Sequence, residues 1–171
     1  MPNYRTSLTA DRARELLAYD PETGVLTWRV ERATNRARVG DVAGCQHWTG
    51  YFQVSVDGKR YLNHRLIWLI VTGAWPKVEI DHINGIRTDN RLCNLREASK
   101  SQNMRNKASR NSHGFKGVVY VKRDKRWVAG IKIDGKRRYI GIYDSPEEAG
   151  AAYAEAAQRH HGEFANTKVK G

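Results

Sequence analysis

Asp81, His82, Asn94 and Asn103 carry the groups that a metal-assisted attack on a phosphodiester requires. Asp81 offers a carboxylate oxygen and Asn103 a neutral amide oxygen. That hard donor pair suits Mg2+ or Mn2+ and leaves coordination positions for water and phosphate oxygens. His82 is the candidate general base, because its unperturbed pKa lies near working pH. Neighbouring residues of a strand point to opposite sides. A base at 82 and a metal at 81 would then address a phosphate from opposite sides, as in-line attack requires. Each residue alone has an ordinary role as a turn, half-buried or helix-start residue; their order in a basic chain is what favours a site.

The elements that must position these residues follow from the surrounding pattern. Residues 78–80 form an apolar, β-branched entry that delivers Asp81 and His82 at a strand end, and Asn84-Gly85 supplies turn chemistry directly after it. The polar stretch 84–91 reads as a compact surface loop anchored by Leu92 and Leu95, with Asn94 at its base. Ser99 followed by Gln102 is a capping-box pattern that places Asn103 in the first turn of a helix. The expected order is strand, loop, short strand, helix.

Asp81-His82, Asn94 and Asn103, at this spacing, resemble the HNH (ββα-metal) nucleases, in particular the phage and intron-borne homing endonucleases. The resemblance implies that His82 activates water, that Asp81 and Asn103 hold the metal, and that Asn94 braces the loop that positions the histidine. The third motif position is Asn rather than His, a variant within that family. The cysteine pairs that add a structural zinc in some relatives are absent.

Thirty Lys and Arg against 18 Asp and Glu give a net charge of +12, which points to a polyanionic partner, double-stranded DNA first. An anionic membrane competes poorly. The basic residues do not gather on an amphipathic helix, and no apolar run approaches the roughly 18 residues of a membrane span. Without an apolar leader-type segment, the expected location is intracellular, in the cytoplasm of a bacterial or phage-infected cell. Cys45 and Cys93 lack metal-ligand spacing and read as reduced, at least partly buried thiols.

Residues 1–7 are polar and read as loose. Thr9 caps a helix expected to run to about residue 19, Pro21 and Gly24 make a turn, and residues 25–30 read as a strand. Arg29, Arg32, Arg36 and Arg38 follow with Glu31 as countercharge, a solvated run that could also touch phosphate. Asp57-Gly58 joins strands at 51–56 and 59–62 in a hairpin. Asn63 is the expected cap of a core helix through residue 71, ended by Gly73 and Pro76. His64 and Arg65 at its start either approach DNA or pack the hairpin on the helix.

Residues 108–113 read as a linker. Beyond it, 115–121, 127–133 and 136–143 are strand candidates, the last two joined by Asp134-Gly135. Ser145, Pro146 and Glu148 then start a helix with a stripe of Ala149, Ala152, Tyr153 and Ala156. Residues 114–143 carry nine Lys or Arg against two Asp, so the sheet is the basic side. Such a sheet can enter the major groove; the bland alternative is a solvated, solubilising surface.

The stretch from Gly114 to Thr167 resembles the Apetala/ethylene-response-factor DNA-binding domain of plants. The matching residues are Gly114-Phe115-Lys116-Gly117-Val118, Trp127-Val128-Ala129, Tyr139-Ile140-Gly141-Ile142-Tyr143, Glu147-Glu148-Ala149 and Ala152-Tyr153. The resemblance implies that the sheet reads the groove, with Lys116, Lys132, Arg137 and Tyr139 facing DNA. Val119 and Gly130 stand where the plant domains place polar readers, so no sequence preference carries over.

The expectation is therefore an α+β protein: residues 1–46 of unclear role, an HNH nuclease domain over 47–107, a linker over 108–113, and a three-stranded antiparallel sheet packed on one helix over 114–171. Its expected activity is metal-dependent DNA endonuclease, homing-type by resemblance. A non-catalytic DNA-binding regulator with a silent nuclease site is the alternative from another class, and an RNA-binding protein a weaker one. One site per chain favours a monomer that nicks; double-strand cutting would need a dimer or two successive events.

Overall fold

The computed structural model describes residues 8–32, 37–107, 109 and 111–167. Residues 1–7, expected to be loose, residues 33–36 with Arg36 of the arginine run, positions 108 and 110 of the expected linker, and 168–171 lie outside the described residues. The chain divides into two compact units between Ser99 and Lys100, ahead of the 108–113 segment.

The first unit opens on α1 (Ala10–Leu16), whose start is fixed by Thr9 Oγ1 accepting a hydrogen bond from the Arg12 amide at 3.1 Å. The helix ends at Leu16 rather than near residue 19. Leu17 turns extended (φ −129°, ψ 137°), and β1 (Leu17–Tyr19) pairs antiparallel with β2 (Leu26–Trp28), burying Leu17, Leu26 and Trp28. Tertiary pairing overrides the helical period here. The strand expected over 25–30 is confined to Leu26–Trp28. At its end, the amide of Trp28 donates to Asp41 O and that of Arg29 to Leu16 O.

β3 (Cys45–Gln46), β4 (Phe52–Val56) and β5 (Lys59–Leu62) form an antiparallel sheet in that order. Asp57 and Gly58 sit at φ +47° and +76°, the two positive values that a two-residue hairpin of this kind demands. Next comes α2 (Asn63–Thr72), stopped by Gly73 in the left-handed region. Asn63 is not its cap: Leu62 holds that position, and Asn63 is buried inside the first turn with Nδ2 donating to Ala43 O at 3.1 Å. β6 (Glu79–His82) and β7 (Leu95–Ala98) then pair antiparallel, Asp81 opposite Arg96 and His82 opposite Leu95.

One apolar core joins Leu8, Leu16, Leu17, Leu26 and Trp28 to Leu66, Ile67, Leu69, Ile80 and Leu95. Leu8, Leu16, Leu17, Leu26, Trp28 and Ala43 thus share a core with the strands that carry the candidate site. Cys45 and Cys93 are both exposed free thiols, not the partly buried ones expected, since each lies on a short peripheral element.

The second unit begins with α3 (Lys100–Asn106) and continues as β8 (Val118–Val121), β9 (Arg126–Ile133), β10 (Lys136–Tyr143) and α4 (Pro146–His161). Its sheet is antiparallel, ordered β10-β9-β8, with α4 packed across one face. Val118, Ala129 and Ile131 meet Ala149, Tyr153 and Ala157, so small residues let the helix lie close. Gly150 takes the Phe115 ring where a Cβ would stand. Ser145 caps α4, its Oγ accepting from the Glu148 amide at 3.2 Å. Asn166 Nδ2 donates to Asn106 O at 2.5 Å, which ties α3 into this unit.

Candidate active site and nucleic-acid face

β6 and β7 bury the strand-end pair deeply: Asp81 and His82 are each 4 % exposed and Asn94 is 7 %. Ion pairing is one reason the carboxylate tolerates this. Arg96, its cross-strand partner, donates from Nε to Asp81 Oδ2 at 3.0 Å and brings Nη2 to 2.9 Å of the same oxygen. A carboxylate has about four lone-pair sites, so this pair orients Asp81 without exhausting it. Oxygen donors without a thiolate nearby suit a hard divalent cation.

His82 has its ring held on two sides. Nε2 lies 3.0 Å from Oδ1 of the buried Asn90. An amide oxygen only accepts, so this contact is a hydrogen bond in the tautomer that carries the proton on Nε2. The His64 ring stands edge-on to His82, centroids 5.1 Å apart, and Tyr51 lies 5.1 Å from His64 and 5.8 Å from His82. Burial lowers the pKa of both histidines, that of His64 to about 3. His64 Nδ1 is buried without a hydrogen-bond partner among the described residues.

Asn94 closes the loop from 83 to 94. Its Oδ1 accepts from the Asn84 amide at 2.9 Å, its Nδ2 donates to Asp89 O at 2.8 Å, and its carbonyl accepts from the Ile83 amide at 2.9 Å. Inside the loop Asn84 Nδ2 donates to Asp89 Oδ2 at 2.7 Å, and Asn84 Oδ1 accepts from the Ile86 amide at 2.8 Å. Arg91 grips Asp89 through both ends of its guanidinium, at 2.8 and 2.7 Å, which holds the Asp89 carboxyl down at about 2. From β1, Tyr19 Oη accepts from the Leu92 amide at 2.8 Å. Gly24 packs against the backbone of Asn90 and Arg91. The N-terminal hairpin therefore buttresses the loop that carries Asn90.

Asp81, His82 and Asn94 thus come together in the first unit, whereas Asn103 lies on α3 in the second. Asn90, Arg96 and Tyr51 belong to the same neighbourhood and were not singled out by the sequence, whereas His64, read there as approaching DNA or packing the hairpin, packs its ring against His82. The charge complementarity of Asp81 and Arg96 across a hairpin was the one available signal. Arg65 is turned to the backbone, its Nη1 donating to Val78 O at 3.2 Å.

In the second unit, Lys132 and Arg137 are cross-strand partners on the face of the sheet away from α4, and Tyr139 pairs with Gly130 beside them. Tyr139 is 68 % exposed, and the Arg137 guanidinium lies over the bare backbone of Gly130. Lys116 goes elsewhere. Its ammonium donates to the carbonyls of Arg105 and, at 2.8 Å, Lys107 at the end of α3, and burial lowers its pKa. Among the described residues no helix is long and apolar enough to cross a membrane.

Residues 61–105 match the family model described as HNH endonuclease. The chain is 32 % identical over 116 residues to a protein of Acanthamoeba polyphaga mimivirus described as an uncharacterized HNH endonuclease, covering 67 % of this chain and 60 % of that protein. It is also 32 % identical over 106 residues to Protein 3.8 of Escherichia phage T7, covering 60 % of this chain and 86 % of the phage protein. No solved structure matches the chain.

Proposed function

The chain carries an HNH endonuclease domain over residues 61–105, and from that premise we propose that it is a metal-dependent DNA endonuclease with His82 as general base. The observation that carries this reading is the buried 3.0 Å contact of His82 Nε2 with Asn90 Oδ1, which fixes the ring beside the loop that follows it. Asn94 holds the loop that presents Asn90, and His64 and Tyr51 hold the ring plane.

Asp81 and Asn103 are the proposed ligands of Mg2+ or Mn2+. The ion would supply positive charge at the phosphate and at the departing oxygen. Arg96 orients Asp81 and removes one of its oxygens from competition with water. Water deprotonated at His82 attacks phosphorus, the 3′ oxygen leaves, and a 5′ phosphate and a 3′ hydroxyl result.

The C-terminal sheet is proposed to grip the DNA through Lys132, Arg137 and Tyr139. Lys116 serves it indirectly, by holding the end of α3. Two exposed cations and an exposed aromatic on one open face are the groups that contact phosphates and bases. Incubation with supercoiled plasmid and Mg2+, beside a chelator control, tests the activity. Nicked or linear product only with metal is expected. DNA retention without any cleavage would point to a binding protein with a silent site.

A further inference from the structure

The turn from β3 into β4 holds a large apolar side chain out in water. Trp48 is 89 % exposed. Its turn is nonetheless well ordered: the His47 amide donates to Tyr51 O and the Gly50 amide to His47 O, both at 2.8 Å, and His47 Nδ1 lies 2.8 Å from Thr49 Oγ1. The turn therefore holds the Trp48 backbone in place while its ring stays in water, and core packing gains nothing from that exposure.

The same turn is fastened to the candidate site. Arg87, exposed on the loop after His82, donates from Nη1 to Thr49 O at 2.6 Å and lies over the Tyr51 ring, 5.0 Å from its centroid. Tyr51 in turn contacts the rings of His64 and His82. Ile83 and Ile86, on that loop, are 44 % and 54 % exposed. The two loops that carry Trp48 and the exposed Ile83 and Ile86 are thus joined by Arg87, next to the ring cluster of Tyr51, His64 and His82. Tyr51 follows Trp48 by three positions, so their Cα atoms are at most about 11 Å apart.

We propose that Trp48 stacks on a nucleobase of the DNA, within a few nucleotides of the phosphate at His82, while Arg87 pairs with the adjoining backbone. The proposal rests on the endonuclease reading for its partner. Its physics is that of aromatic platforms and apolar wedges beside a base step, where each ring offers its face to a base of any sequence. With a chain charge of +12, an exposed aromatic edged by arginine fits a polyanion carrying flat apolar bases better than it fits another copy of this basic chain.

The test uses the full chain in chelator, so that binding is read without cleavage, on short duplexes in which 2-aminopurine is moved one position at a time. Wild type should change the fluorescence at one or two adjacent positions. Trp48→Ala should abolish that change and weaken binding roughly 5- to 150-fold, and Trp48→Phe should retain most of both. Thermal unfolding of Trp48→Ala should stay close to wild type, since the side chain lies in water and its ring meets the adjacent His47 at 5.2 Å between centroids. Unchanged isotherms and unchanged 2-aminopurine responses for Trp48→Ala would overturn the proposal. So would sedimentation showing that Trp48 mediates self-association while DNA binding is unaltered. Wild type that binds and stacks in chelator but never cuts plasmid with Mg2+ would sink the catalytic reading alone. A chain that binds no DNA sinks both.

Discussion

As the proposed general base, His82 has to be neutral to accept a proton and oriented to accept it from one water. Burial secures the first condition, because the cation is the form that a desolvated site disfavours, and Asn90 secures the second. A base acts in the transition state rather than in ground-state binding. His82→Ala should therefore lose at least about 100-fold in cleavage while its binding isotherm stays close to wild type; activity above a hundredth of wild type would remove His82 from the role. Asp81→Ala and Asn103→Ala should shift the metal titration to higher concentration, Asp81 more so as the anionic ligand, with partial recovery at high Mn2+. Titration curves identical to wild type would strike both from the ligand set.

His64 contributes at the same scale through stability. Burial is the main cause of its low pKa of about 3, with His82 and Arg65 adding to it. Unfolding returns the group to about 6.5, so between those values the unfolded chain binds more protons than the folded one. Stability therefore rises with pH across that window. The contribution is complete above about pH 6.5 and is lost as pH falls toward 3. Wild type should lose on the order of a few kcal/mol between pH 7 and pH 4. His64→Phe should show a flatter dependence of its urea midpoint. Parallel slopes for the two proteins would place the titration elsewhere.

At the scale of elements, the two Asp-Gly hairpins are legible because both turn residues need positive φ and their flanks alternate. Asp57 and Asp134 adopt +47° and +48°, followed by glycines at +76° and +80°. The end of α1 is not legible. Leu16 and Leu17 continue a helical period, and only pairing with 26–28, settled in three dimensions, makes Leu17 extended. Of the site, Asp81, His82 and Asn94 show in residue type and spacing. Asn90, Arg96 and His64 do not, because a register and a helix packing bring them in. The same holds for the N-terminal hairpin, whose turn carries Gly24 at φ +74° with the Arg91 amide 2.5 Å from the place of a Cβ. Gly24→Ala should cost about 1–3 kcal/mol and lower cleavage as the Asn90 loop shifts. Gly58→Ala is the control: it has positive φ but open space, so its loss should be smaller and its cleavage intact. Equal effects at the two glycines in thermal unfolding and in cleavage would deny the buttress.

The whole molecule divides into two compact units in a chain of net charge +12, and the proposal assigns chemistry to the first and DNA grip to the second. If the C-terminal sheet grips DNA, chemistry and grip are separable by mutation. Lys132→Ala or Arg137→Ala should weaken binding while cleavage at saturating DNA survives. The form of the loss says what each residue touches. A lost phosphate contact lowers the log-log salt slope by about one unit and weakens all sequences alike, because one fewer counterion is released. A lost base contact leaves the slope nearly unchanged, costs about 1–3 kcal/mol, and relaxes preference at one position. Arg137, lying over Gly130 beside Tyr139, is placed for the second kind, and Lys132 for the first. Isotherms at several salt concentrations on specific and scrambled duplexes separate the two outcomes. If neither substitution moves either isotherm, the open face of the sheet is solvated surface and the grip lies elsewhere.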